Sequence, residues 1–163
     1  MRRAVVATVA ASLLAGCYAP VGVPIGAGAD PDEIPTSVEV GGGPDAARER
    51  AHRVLAELGF RRDDAADGDR WRRRFPADER WAFCPPLRVD RRDDGKVGVG
   101  ADDGVVEMVV ATAPATDGTR VTIDPRFVGL YRDPGLFTGT RERACNSFGV
   151  VETRFVEAMR RGG

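Results

Sequence analysis

Few residues of this chain have the types and the spacing that nucleophilic catalysis requires. The chain has one histidine, His52, and beyond its N-terminal region two serines, Ser37 and Ser147. A hydrolytic triad holds a nucleophile against a base and an acid, and no nucleophile-elbow motif surrounds either serine. Cys84 and Cys145 would be nucleophiles only as reduced thiolates. The sequence therefore assigns no catalytic residue.

Two pairs of aspartates, Asp93-Asp94 and Asp102-Asp103, are the candidates for a cation site. Each pair precedes a glycine, and Asp-Gly sequences form turns without any ion. Neither pair is followed by the longer loop and distal glutamate of an EF-hand. His52 has no further ligand at a zinc-binding spacing, and we expect it to be a solvated residue of a helix. We expect neither a metal nor another cofactor.

Arginine is concentrated in residues 61–92, which contain ten arginines, seven acidic residues and two tryptophans. Guanidinium groups bind carboxylates and phosphates through two hydrogen bonds at once. The run Arg72, Arg73 and Arg74 is therefore a candidate surface for an anionic partner. The alternative, which the mixed charges favour, is a solvated face of a sheet that discourages edge aggregation. Over the whole chain 24 basic residues balance 25 acidic ones, which argues against a nucleic-acid binder that acts through bulk charge.

The N-terminus has the pattern of a secretory signal. Arg2 and Arg3 precede residues 4–15, which are apolar apart from two hydroxyl residues. This apolar run is shorter than the roughly 20 residues that a membrane-spanning helix needs. We interpret it as the short hydrophobic region of a signal peptide.

The signal ends in Leu14-Ala15-Gly16-Cys17, which resembles the lipobox of bacterial lipoproteins. The resemblance implies cleavage between Gly16 and Cys17 and attachment of acyl chains to Cys17. Two or three chains hold a protein on a membrane, because each buried methylene contributes about 0.8 kcal/mol. Tyr18 stands in place of the aspartate that favours inner-membrane retention, so the resemblance implies the periplasmic face of the outer membrane in a Gram-negative cell. The alternatives are a plain signal peptide with a chance cysteine and an N-terminal core helix.

Cys84 and Cys145 remain once Cys17 is assigned to the lipid. Export places the domain in an oxidising compartment, where disulfides persist. Two remaining cysteines in an exported domain are most simply a pair, so we predict a disulfide between them. Two free buried thiols are the alternative.

Residues 18–43 are rich in proline and glycine and have no helical or strand periodicity, which predicts a semi-flexible tether. The alternative places Ser37-Val38-Glu39-Val40 in an edge strand. The expected organisation is a signal peptide at 1–16, the lipidated cysteine and tether at 17–43, and one domain at 44–163. About 120 residues suffice to bury a core.

The elements of the domain follow from the spacing of apolar residues. Pro44 suits the first position of a helix, and Gly59 suits its end. A second helix, capped by Asn146 or Ser147, closes the domain. Its apolar stripe consists of Phe148, Val151, Phe155, Val156 and Met159. Between the helices, alternating polarity and Asp-Gly turns at 94–95, 103–104 and 117–118 predict an antiparallel meander of about five to six strands. The expected fold class is α+β, a two-layer domain with both helices on one face of the sheet.

Together these patterns predict a lipid-anchored protein of the bacterial cell envelope that is not an enzyme and that binds a partner or supports assembly. The expected partners are the membrane, through the acyl chains, and an envelope protein or an anionic envelope component; nucleic acid is not expected. A small envelope hydrolase is the alternative, because the chain has many carboxylates. Such an enzyme needs two of them about 5–9 Å apart across a cleft.

Overall fold

The computed structural model describes residues 31–64, 68–76, 79–91, 95–132 and 139–162. The predicted signal peptide, Cys17 and most of the predicted tether lie outside these ranges. Two α-helices, α1 (Pro44–Glu57) and α2 (Val150–Arg161), lie near the two ends of the described part, and a 3₁₀ turn covers Pro31–Glu33. The strands are β1 (Ser37–Val40), β2 (Arg61–Arg62), β3 (Arg70–Pro76), β4 (Ala82–Phe83), β5 (Leu87–Arg91), β6 (Gly95–Val99), β7 (Asp103–Ala115), β8 (Gly118–Arg132) and β9 (Thr140–Ser147).

The strands form one main antiparallel sheet and one ribbon. The main sheet has seven strands in the order β2-β3-β7-β8-β9-β4, with β1 paired to the first part of β8. Within the described residues β5 and β6 pair only with each other. α1 packs on β7 and β8, and α2 packs on β1 and on α1, so both helices cover the same face of the sheet. The predicted fold class, a two-layer α+β domain with a helix near each end, is confirmed.

The order of the strands departs from a simple meander at one place. β7, β8 and β9 are consecutive neighbours, but β3 lies beside β7 rather than beside β4. The expected turn at Asp102-Asp103 does not form a hairpin, because Asp103 already belongs to β7 and pairs with Pro76. The backbone N–H of Asp102 donates to Leu130 O at 2.9 Å. After the separate β5–β6 ribbon, this contact joins the chain to the main sheet again.

β8 has two partners along its outer edge. Its first part pairs with β1, and its last part, from Phe127 onward, pairs with β9. Pro125 lies between these partners. The backbone N–H of Ile123 points outward to Thr36 O at 2.8 Å, so the backbone of Pro125, two residues later, faces outward as well. Proline has no N–H to donate, and this central strand tolerates it because its missing donor faces the gap between β1 and β9.

Ser37–Val40 belongs to the folded domain. The segment pairs with β8, Val38 opposite Val121 and Val40 opposite Thr119, and both valines of β1 are buried. The edge-strand interpretation is therefore right for these residues, and the domain begins before residue 44, where composition placed its boundary. Only two alternating valines indicate β1 in the sequence, and the glycines and prolines on either side are typical of a linker.

The two helices each bury one apolar stripe. Gly59 ends α1 as predicted, with a φ of +82° that glycine adopts without strain. α2 has no side-chain cap, because Gly149 in a left-handed conformation occupies its N-cap position. The cap predicted at Asn146 or Ser147 is therefore wrong; Ser147 Oγ instead accepts a hydrogen bond from Gly149 N at 2.9 Å. The core joins Ala47, Ala51, Val54, Leu55, Val151, Phe155, Val156 and Met159 of the helices to Trp71, Phe75, Val106, Met108, Val121, Ile123 and Phe127 of the sheet.

A disulfide joins Cys84 to Cys145, as predicted. It ties residues 81–86, here called the strap, to β9. Gly129 of β8 lies against this bridge, and a Cβ atom built there would be 3.0 Å from Cys84 Sγ. That distance is shorter than an ordinary carbon–sulfur contact, so a larger residue at this position would push against the disulfide.

Tyr131 and Arg143 hold the prolines of the strap. The Tyr131 hydroxyl donates to Pro85 O at 2.6 Å, and Arg143 Nη1 donates to Pro86 O at 3.1 Å. Burial raises the pKa of Tyr131 above its ordinary value of 10.0, and the charge of Arg143 acts in the opposite direction. The phenol therefore stays protonated, and keeps donating, throughout the neutral pH range.

Candidate functional site

The face of the sheet opposite the helices, here called the open face, carries the candidate site. Successive side chains of a strand point to opposite faces. Trp71 and Phe75 of β3 are buried beneath the helices, whereas Arg72 and Arg74 are exposed on the open face. Pairing of β3 with β7 places Arg74 opposite Val105. The sheet thus brings together side chains from strands that are distant in sequence.

A cavity of about 810 Å³ lies over the open face and reaches the β2 edge of the sheet. Val105 and Leu130 supply its aliphatic surface, and two acidic residues, Asp63 and Glu142, line it as well. Its other charged lining residues are six arginines: Arg61, Arg62, Arg72, Arg73, Arg74 and Arg132. The three arginines predicted from the sequence are therefore joined by three others that the fold brings to the same cavity.

The structure divides the predicted Arg72–Arg74 surface. Arg73 points to the helix side, where its guanidinium carbon lies 4.2 Å from the centre of the Trp81 ring. It also donates to Leu58 O at 2.6 Å and lies 3.5 Å from a carboxylate oxygen of Glu79. Contacts of a cation with an aromatic ring and a backbone carbonyl stabilise the folded structure. Arg73 therefore supports the wall of the cavity, and recognition of a ligand falls to the arginines around it.

Arg72 and Arg74 each contact acidic side chains of their own domain. Arg72 Nε lies 3.2 Å from Glu107 Oε1, and its Nη1 lies 3.8 Å from Asp63 Oδ2. Arg74 Nη2 donates to Asp103 Oδ2 at 2.7 Å. The two arginine side chains are half exposed or more, and ion pairs of this kind contribute at most about 1 kcal/mol. An incoming anion can therefore compete for both guanidinium groups.

Arg132 reaches the cavity from the end of β8. Its Nη2 lies 3.6 Å from Asp103 Oδ2, the oxygen that also accepts from Arg74. One carboxylate of β7 thus lies between an arginine of β3 and an arginine of β8. Nothing in the local sequence of Arg132 marks it as part of this group, because only the pairing of the strands places it there.

Arg61 and Arg62 are the arginines of the cavity that form no ion pair among the described residues. Both are exposed, and neither forms an ion pair with an acidic residue in the described part of the chain. Arg61 lies directly opposite Arg72 in the β2–β3 pair, and like charges opposite one another destabilise a sheet. Arg72 has Glu107 and Asp63 as counter-charges, and an anion bound at this point would add one beside Arg61.

The two acids that line the cavity do not form a hydrolytic pair. Asp63 follows β2, and Glu142 lies on β9, so that β3, β7 and β8 stand between them. Four strand spacings amount to roughly 19 Å. The carboxylates of a glycoside hydrolase are about 5–9 Å apart.

His52 makes a structural contact on the helix side. Its Nε2 is hydrogen-bonded to Asp69, whose other oxygen accepts from Trp71 Nε1 at 2.9 Å. The His52 side chain is only 23% exposed, so the expectation of a solvated histidine is wrong. Ser37 lies on β1 and Ser147 ends β9, and no described contact joins either hydroxyl to His52.

The aspartate pairs show no cation site within the described ranges. Asp103 contacts two arginines, and Asp93-Asp94 lies outside those ranges. No three His, Cys, Asp or Glu side chains of the described residues are grouped closely enough to hold a metal ion. None of the helices found there has the length and apolar character to cross a membrane.

Comparison of the chain with protein-family models, with curated proteins and with solved structures finds no match. The chemistry of the cavity is therefore the basis for a function. The guanidinium groups of the five other lining arginines, Arg73 being held by the fold, remain charged at every physiological pH, and an aliphatic surface lies beside them. This combination suits an anion with an apolar part.

Proposed function

We propose that this chain is an anion-binding protein of the bacterial cell envelope, carried on a lipid-anchored tether. The binding site is the arginine-lined cavity of the open face. One observation carries the proposal: Arg61 and Arg62 line a cavity of about 810 Å³ without an ion pair to any described acidic residue. Their charge is available to a ligand.

Binding without catalysis fits the lining of this cavity better than turnover does. Thr140 is the one hydroxyl residue among its described lining residues, which include no histidine, serine, cysteine or tyrosine. General acid–base catalysis needs a titratable group near the reacting atoms. Asp63 and Glu142 are too far apart to share the two roles of a hydrolase.

The tether supports the proposal by holding the domain close to the envelope surface. A linked module meets its ligand at a high effective concentration, so that modest affinity suffices. The anchor itself is proposed from the resemblance of Leu14-Ala15-Gly16-Cys17 to a lipobox.

Replacement of Cys17 by alanine tests the anchor. We expect Cys17→Ala to move the protein from the membrane fraction to the soluble fraction of its own cells, because the change removes the acylated residue. Fractionation followed by immunoblotting measures this. A variant that had lost residues 1–16 and still remained with the membranes would rule out the lipid anchor.

Two double variants test the binding site. Each is made in the full chain carrying Cys17→Ser, so that no acyl chain contributes. Arg61→Ser with Arg62→Ser removes the two cavity arginines that form no ion pair among the described residues. Arg154→Ser with Arg160→Ser, the matched control, removes the same charge from exposed positions of α2.

Calorimetric titration with inorganic pyrophosphate compares these variants with the parent chain. We expect the R61S/R62S variant to lose affinity at least about tenfold, since hydrogen bonds to charged groups contribute about 1.5–3 kcal/mol. The control should bind like the parent. Equal losses in both variants would show that bulk charge alone explains the binding, and would reject the cavity as the site. A parent chain that does not bind pyrophosphate would also reject it.

A further inference from the structure

We infer that the corner of the cavity formed by Arg61, Arg62 and Arg72, here called the β2–β3 corner, recognises a phosphate monoester group. This inference rests on the proposed anion-binding function and adds the chemical class of the ligand. It separates phosphate monoesters from two other classes of anion that arginine binds, carboxylates and phosphate diesters.

The charge of the β2–β3 corner favours a dianion over a singly charged anion. Arg61 and Arg62 both line the cavity, and neither forms an ion pair with a described acidic residue. Arg72 contacts Glu107 and Asp63 at 3.2 Å and 3.8 Å. These three arginines and two carboxylates carry one net positive charge, which attracts a doubly charged anion more strongly than a singly charged one. A phosphate monoester carries close to two negative charges above its second pKa of about 6. A diester or a carboxylate carries one.

The shape of the corner also favours a tetrahedral group. β2 has two residues, and both line the cavity, although successive side chains of a strand point to opposite faces. Arg72 and Arg73, which lie on opposite faces of β3, line it too. The cavity therefore continues around the edge of the sheet, and donors reach it from two sides. Three terminal oxygens of a phosphate can use both sides, whereas a planar carboxylate offers two oxygens in one plane.

The aliphatic lining of the cavity, on β7 and β8, can contact the carbon part of an ester that extends from the corner across β3. Val105 and Leu130 line the same cavity, and Leu130 is only 8% exposed. A phosphate monoester with an apolar substituent can be a soluble molecule or a lipid with a terminal phosphate. The recognised chemistry is the same in both.

Three probes of similar size test the inference by calorimetric titration of the full chain carrying Cys17→Ser at pH 8. They are phenyl phosphate, methyl phenyl phosphate and benzoate. We expect phenyl phosphate to bind at least about tenfold more tightly than either singly charged probe, since one additional charge-assisted hydrogen bond contributes that much. The R61S/R62S variant should lose this preference, and the R154S/R160S control should keep it.

The possible results separate this inference from the proposed function. Equal affinities for all three probes would overturn the monoester inference and leave anion binding intact. No binding of any probe would overturn both. A preference that survives in the R61S/R62S variant would also overturn the inference, because recognition would then lie outside the β2–β3 corner.

Vesicles distinguish the two sources of the monoester. Phosphatidylcholine vesicles are prepared with phosphatidic acid, a monoester lipid, or with phosphatidylglycerol, a diester lipid. Stronger sedimentation of the protein with phosphatidic acid supports a lipid ligand. Binding of phenyl phosphate without retention on these vesicles supports a soluble ligand.

Discussion

Neighbouring arginines of β3 have different roles because the strand sends successive side chains to opposite faces. Arg73 lies over the ring of Trp81 and donates to Leu58 O, while Arg72 and Arg74 are exposed in the cavity. A joint replacement of all three would therefore disturb the fold and the site together. Arg61 and Arg62 make no such contact with a described residue, so variants at these positions test recognition more directly.

Tyr131 provides a test of the contact between β8 and the strap. Tyr131→Phe removes the hydrogen bond to Pro85 O and should lower the free energy of unfolding by about 1 kcal/mol at neutral pH. Urea unfolding followed by circular dichroism measures the change. An unchanged midpoint would show that this hydrogen bond contributes nothing to stability.

The pH dependence of Tyr131 gives a second readout of the same contact. Its pKa in the folded chain is raised above 10.0 by burial, so the folded state holds this proton more tightly than the unfolded state. The stability it contributes is complete below pH 10 and is lost as the pH rises through the raised pKa. The parent chain should therefore lose stability more steeply above pH 10 than the phenylalanine variant, and parallel curves would contradict this assignment.

Glu152 of α2 is buried at a cost to stability. It is fully covered, and neither carboxylate oxygen accepts a hydrogen bond from a described residue. An unsatisfied buried group costs about 1–3 kcal/mol, more than the roughly 0.3–1 kcal/mol that an acid in the first turn gains from the helix dipole. Glu152→Met should therefore raise the free energy of unfolding by at least about 1 kcal/mol.

Glu157→Met is the matched control for this prediction, because Glu157 is an exposed residue of the same helix. Its effect should stay within about 0.5 kcal/mol. Urea unfolding measures both variants. A Glu152→Met variant less stable than the parent would show that the carboxylate has a stabilising partner.

At the scale of elements, sequence periodicity identifies the long elements and misses the short ones. α1 begins at Pro44 and ends before Gly59 as its stripe predicts, and the disulfide follows from the cysteine count. β2 has two residues, too few for any alternation. Its pairing with β3 nevertheless places Arg61 opposite Arg72. The two cavity arginines that form no ion pair with a described residue therefore belong to a strand that sequence periodicity does not identify.

The disulfide stabilises the connection between the strap and β9. Cys84→Ser with Cys145→Ser should lower the free energy of unfolding by about 4 kcal/mol, the chain-entropy value for a loop of this length; the cysteines are separated by 61 positions. Urea unfolding of the oxidised protein and its variant measures the difference. Free thiols at both positions in non-reducing peptide mapping, or equal unfolding midpoints, would contradict the predicted contribution.

At the scale of the whole molecule, the two faces of the sheet have different roles. The helices cover one face of the sheet and enclose the core, and the open face leaves Arg61, Arg72, Arg74 and Arg132 accessible around Val105. Composition predicts an arginine-rich surface, but only the pairing of β2, β3, β7 and β8 gathers these arginines into one cavity. The sequence predicts the fold class because fold class depends on local patterns. It does not predict the cavity, because the cavity depends on the pairing register of strands that are distant in the sequence.

Amide chemical-shift mapping tests most directly whether this cavity binds anions. The full chain carrying Cys17→Ser is labelled with ¹⁵N and titrated with inorganic pyrophosphate. We predict saturable shifts at Arg61, Arg62 and Arg72 and at the neighbouring amides of Val105 and Leu130, with the amides of α2 unchanged. Shifts centred on α2, or no saturable shifts on β2 and β3, would contradict the assignment of the open-face cavity as an anion-binding site.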